Sequence, residues 1–156
     1  MVYRFKKTKR AIFMNRYEVK KYLESYRLAK NEVDRLNSLR RELELDITSL
    51  KSIDYSKIRV DGGASNAYVL EAVIDKIAEL DEKIASATLN KYRTEKDVLA
   101  FIGKLKNDNN DVDILTDRYI FFLSYKALER KYNYTYESLK NKISKAYKTL
   151  AILSKL

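Results

Sequence analysis

The stretch Lys131–Lys142, KYNYTYESLKNK, sets Tyr132, Tyr134 and Tyr136 around Asn133 and Thr135, then runs into lysines. A chain reversal here needs one residue in the left-handed region. Glycine usually supplies it, and asparagine is the next most tolerant residue, so Asn133 is the expected pivot. Thr135 is placed to cap the helix that follows. In that helix Leu139, Ile143, Ala146, Leu150 and Leu153 share one face. Tyr136, Glu137, Lys140, Asn141, Ser144, Lys145 and Lys148 fall on the other. Tyr132 and Tyr134 are expected to pack and hold the turn. Upstream, DVDILTDRYIFFL reads as one helix with Ile114, Leu115, Tyr119 and Phe122 inward, and Ser124 is a good N-cap for YKALERKY. Three short helices, the last two joined by a turn of about three to four residues, predict a helix-turn-helix.

The polar turn KNDNND, Lys106–Asp111, precedes these helices and predicts a domain boundary, with Asp108 or Asp111 as the next helix cap. Before it run two long apolar stripes. Asn15 and Glu18 have capping-box spacing. Val19, Tyr22, Tyr26, Ala29, Val33, Leu36, Leu43, Ile47 and Leu50 then recur every three or four residues, broken by Arg40. This predicts a helix over 16–51, about 50 Å long. Val73, Ile77, Leu80, Ile84, Ala87, Lys91, Thr94, Val98, Phe101 and Leu105 form an unslipped heptad seam with two polar positions, Lys91 and Thr94. Gly62-Gly63 interrupts the chain between the stripes. Two helices of similar length joined by one such loop are expected to fold back on each other. The expected fold is all-α: a basic arm over 1–14, an antiparallel coiled-coil helical hairpin over 15–106, and a three-helix helix-turn-helix domain over 107–156.

Composition narrows the function. Net charge is +10 over 156 residues, so an acidic partner is expected. The arm carries Arg4, Lys6, Lys7, Lys9 and Arg10 with no acid up to Phe13, suited either to solvation or to gripping phosphates. Residues 118–156 hold nine Lys or Arg against two acids, Glu129 and Glu137. The chain has no Cys and no His. Disulfides, thiolate metal sites and cysteine nucleophiles are therefore excluded, and the commonest general base is missing. No convergent carboxylate pair or phosphate-cradling glycine loop stands out, so no enzyme, cofactor or metal is expected. The apolar runs are too short to span a bilayer, and a cytoplasmic protein without a membrane partner is expected.

LTDRYIFFLSYKALERKYNYTYESLKNKISKAYKTL resembles the C-terminal DNA-binding helix-turn-helix of sigma factors. The matches are Arg118-Tyr119-Ile120, Ser124, Leu128, Asn133-Tyr134-Thr135, Leu139 and Ala146 through Leu150. With YLESYRLAKNEVDRL and the Gly-Gly loop, the chain over 17–153 is similar to a phage and prophage family of sigma-factor-like late transcriptional activators, of the RinA/ArpU type. It departs from the sigma pattern in having Glu129 where a small residue usually follows Leu128, and Asn133 in place of Gly.

The resemblance implies a sequence-specific regulator of double-stranded DNA, a phage late-gene activator working with host RNA polymerase in the bacterial cytoplasm, with the coiled coil dimerising it or meeting the polymerase. The last helix would enter the major groove with Tyr136, Glu137, Lys140, Asn141 and Ser144 at base edges. Asn141 suits adenine, Lys140 guanine and Glu137 cytosine. Lys145, Lys148, Arg130 and Lys131 would bind phosphate, and Thr135 would offer its N–H or hydroxyl. Two rivals stand beside this: a helical adaptor or inhibitor that binds a host protein through its coiled coil, and a phage DNA-packaging subunit, expected to form a closed ring.

Overall fold

Capping explains where the first helix begins. Asn15 N–H donates to Glu18 Oε2 at 2.7 Å while Glu18 N–H donates to Asn15 Oδ1 at 2.9 Å, so the capping box closes in both directions. The computed structural model describes residues 14–52, 64–106 and 110–155. The basic arm up to Phe13, the Gly62-Gly63 connection and Asp108 lie outside them. The described residues are all-α, without a strand. They form α1 (Arg16–Ser52), α2 (Ala64–Ile102), a 3-10 turn (Gly103–Leu105), α3 (Asp111–Tyr119), α4 (Tyr125–Tyr132) and α5 (Tyr136–Leu153).

The chain divides into two compact units. One runs from Leu28 to Thr94 and holds most of α1 and α2. Ala29, Val33 and Leu36 are buried there, and Leu43, Ile47, Leu50 and the seam from Val73 to Thr94 are partly shielded. Arg40, which interrupts the apolar stripe, occupies a seam position. Its Nε donates to Asp81 Oδ1 on α2 at 2.6 Å, and its Nη1 pairs with Glu44. A cation thus satisfies its charge where an aliphatic side chain would otherwise pack.

The other unit joins the residues up to Arg27 with those from Glu95 on. The polar stretch Lys106–Asp111, the expected boundary, falls within it. Its single core takes Val19, Leu23 and Tyr26 from α1, Val98, Phe101 and Ile102 from α2, and Leu105 from the 3-10 turn. Ile114, Leu115 and Tyr119 come from α3, Leu128 from α4, and Leu139, Ile143, Ala146 and Leu150 from α5. Of the inward faces expected of these helices, Ile114, Leu115, Tyr119, Leu139, Ile143, Ala146 and Leu150 are in this core; Ile120 and Ala151 join them, while Phe122 packs at its edge and Leu153 is only partly buried.

Two local expectations change. α3 ends at Tyr119 rather than continuing to Leu123. Phe122 takes a left-handed φ of 58°, and Leu123 N–H donates back to the Asp117 carbonyl at 2.9 Å. Arg118 Nη1 holds the Leu123 carbonyl at 2.9 Å, so the chain doubles back here. Phe122 stays in the packing by stacking on Tyr26, with ring centroids 5.6 Å apart. The start of α3 also differs. Its N-cap is Asn110, left-handed with φ 63° and no side-chain cap hydrogen bond. Asp111 is the first helical residue, favourable to the helix dipole and 3.1 Å from Lys142 Nζ.

Gly103 opens the 3-10 turn, and a Cβ added there meets nothing within 4 Å. Its backbone is not left-handed, so the open space lets the unfolded-state entropy decide. Gly103→Ala is expected to stabilise the protein by about 0.4–1 kcal/mol. Urea denaturation of the two proteins, compared at equal m-value, checks this.

Candidate nucleic-acid interface

Backbone chemistry fixes the corner between α4 and α5. Asn133 sits at φ 54°, ψ 43°, the left-handed pivot expected of it. Ser124 caps α4, its hydroxyl accepting from Ala127 N–H at 3.2 Å. Thr135 caps α5, accepting from Ser138 N–H at 3.3 Å and donating to Ser138 Oγ at 2.9 Å. Its hydroxyl is thus engaged at the helix start.

Beneath the corner lies a buried carboxylate that the sequence reading passed over. Asp117 is only 6% exposed. Lys131 Nζ reaches its Oδ2 at 2.5 Å and Tyr132 Oη donates to the same oxygen at 2.6 Å. α3 thus holds the last two residues of α4, directly before the pivot. The spacing of three from Ile114 was the available signal that Asp117 faces inward. Lys131, expected at a phosphate, is the counter-ion of this carboxylate. Lys131 stays exposed while making this pair, whereas Lys142 is turned inward, against Asp111 and over the Tyr134 ring at 5.7 Å. Tyr132 and Tyr134 are both partly buried at the turn, as packing residues.

The outer face of α5 is different. Glu137, Lys140, Asn141, Lys145 and Lys148 are exposed, as is Arg130 on α4, while Ser144 is partly buried. The side chains of Arg130, Glu137, Lys140, Asn141, Ser144, Lys145 and Lys148 form no hydrogen bond or ion pair with another described residue. Glu137, Asn141, Ser144 and Lys148 follow one another at spacings of four, three and four, a single helical stripe. Tyr136 borders it, 48% exposed, its ring edge-on to Tyr125 with centroids 5.2 Å apart. Leu128 is fully buried behind this surface and Glu129 beside it is only partly buried.

The core behind α5 carries a tyrosine pair. Tyr119 and Tyr147 bring their hydroxyls into direct hydrogen-bonding contact. Burial pushes the Tyr147 phenol well above its ordinary value, and the neighbouring Tyr119 adds to the shift. Tyr119 is raised for the same first reason. Tyr132 is raised by burial and then by the Asp117 carboxylate that it serves as donor.

No family model, curated protein or solved structure matches the chain. Among the described residues no group of His, Cys, Asp and Glu could hold a metal ion, and no helix is long and apolar enough to cross a membrane.

Asn133→Ala is expected to cost about 1–2 kcal/mol, because alanine pays the left-handed penalty in full. Asn133→Gly is expected to match or exceed the parent, which thermal melts of the two variants resolve. A pH effect follows from the raised phenols. A phenol bound more tightly to its proton in the fold contributes stability fully below the unfolded value of 10.0 and loses it as pH climbs past that value. Melting temperature is therefore expected to be insensitive to these groups near neutrality and to fall above pH 10.0. Tyr132→Phe should flatten part of that fall.

Proposed function

We propose that the chain is a sequence-specific double-stranded-DNA-binding transcriptional regulator that reads the major groove with α5. The observation that carries this is the division of the cations. Lys131 and Lys142 each meet a carboxylate, Lys142 from a partly buried position, whereas Arg130, Lys140, Lys145 and Lys148 have no acidic partner among the described residues. Unpaired cations around an exposed Asn suit phosphates flanking base edges.

In this reading α3, α4 and α5 act as a helix-turn-helix, with Asn133 as its pivot and α5 entering the groove from its N-terminus. Asn141 pairs with adenine, Lys140 with guanine, and Glu137 accepts from cytosine; Tyr136 and Ser144 lie alongside. Arg130, Lys145 and Lys148 hold phosphates. Lys131 supports the corner rather than the DNA. The long helices act as an antiparallel coiled-coil hairpin that pairs two copies or meets RNA polymerase, since one such module gives modest affinity alone. The similarity to phage late activators supports regulation as the role.

Lys145→Ala is expected to weaken binding to every duplex alike and to lower the salt slope by about one. Asn141→Ala is expected to cost about 1–3 kcal/mol at one base pair and to relax preference there. Fluorescence anisotropy over a salt series, on duplexes selected from a random pool, reads both. Binding by both variants indistinguishable from the parent at low salt would exclude the proposal.

A further inference from the structure

We infer that the DNA-contacting surface does not end at α4 and α5 but continues across the α3–α4 connection onto α1, with Arg27 and Lys126 as two further phosphate ligands. This rests on the DNA-binding reading above and adds a second contact region to it.

A ladder of rings and cations carries the inference. At one end the Arg27 guanidinium lies over the Phe122 ring, 4.9 Å from its centroid. Phe122 belongs to the connection that leads into Ser124, the cap of α4. Inside that connection Arg118 ties the Leu123 carbonyl and covers the Tyr125 ring at 4.7 Å. Tyr125 in turn packs edge-on against Tyr136, the first residue of α5. The contacts run without a gap from α1 to the N-terminal end of the helix that reads the groove.

The two arginines of the ladder differ in job, and Lys126 follows Tyr125 in α4. Arg118 is partly buried and spends a donor on the backbone, so it holds the connection in shape. Arg27 and Lys126 are exposed, and neither makes an ion pair with a described residue. Arg27 is also oriented: stacking on Phe122 restricts its long side chain and leaves the guanidinium edge for a planar oxygen pair. Lys126 stands in the first turn of α4, where the helix dipole favours an anion. The first helix of a groove-reading pair crosses the sugar-phosphate backbone, which is the ligand such a pair of cations would take.

The test is the salt dependence of binding to a fluorescein-labelled duplex of arbitrary sequence. Each phosphate contact contributes about 0.9 to the slope. Arg27→Ala and Lys126→Ala should each lower it by about one, and the double variant by about two. Arg27→Lys should keep the parent slope. Lys83→Ala, a cation of the other compact unit, should leave it unchanged. A thermal melt of each variant establishes that it is folded, and Arg27→Gln, which also removes the charge, serves if Arg27→Ala is not. The inference is overturned if the folded double variant keeps the parent slope, or if Lys83→Ala lowers the slope as much, since bulk charge would then be the cause. If the parent binds no duplex at all, the DNA-binding reading falls and takes the inference with it.

Discussion

The corner on which the candidate interface depends is held by one buried carboxylate. Asp117 takes a lysine ammonium and a tyrosine hydroxyl on the same oxygen, and both donors stand at the end of α4. A buried charge is costly unless it is paired and hydrogen-bonded, and here both conditions hold. The geometry also carries information that an apolar contact would not. Two directed bonds from consecutive residues fix the rotation of α4 about its axis, and so the direction in which Asn133 launches α5. Leu128 supplies the cohesive contact between these helices, while Asp117 sets the angle.

A second constraint is the division of the basic residues. Lysines on both faces of α5 look alike in a linear sequence. In the fold, Lys142 is drawn onto Asp111 and its charge is neutralised locally, whereas the stripe through Asn141 and Lys148 keeps its field directed outward. Local pairing on one face thereby sharpens the electrostatic contrast of the other, which is what a polyanion would sense at a distance.

Much of this was legible from residue spacing. The capping box at Asn15 and Glu18, the caps at Ser124 and Thr135, and the left-handed Asn133 follow from short-range chemistry and could be read directly. So could most of the inward faces of α1, α2 and α5, because a helical period is a local property, although buried Leu23, Ile102 and Ala151 lie beside the expected stripes rather than in them. What escaped were contacts between residues remote in sequence. Asp117 reads as another surface acid until Lys131 and Tyr132 are folded onto it. The early end of α3 depends on Phe122 finding Tyr26 on a distant helix, which stabilises a backbone conformation that phenylalanine rarely adopts. Arg40 reads as a defect in the stripe, since its partner Asp81 lies on the other long helix.

The core that joins Val19 and Leu23 to Leu139 and Leu150 draws on both ends of the chain. During synthesis the first turns of α1 leave the ribosome long before the helices that will cover them. Long-range closure of this kind slows folding, and these apolar residues of α1 wait exposed until α5 is made. A truncation that removes α5 would therefore take away more than one helix. It would strip the cover from Val19 and Leu23 at the beginning of α1.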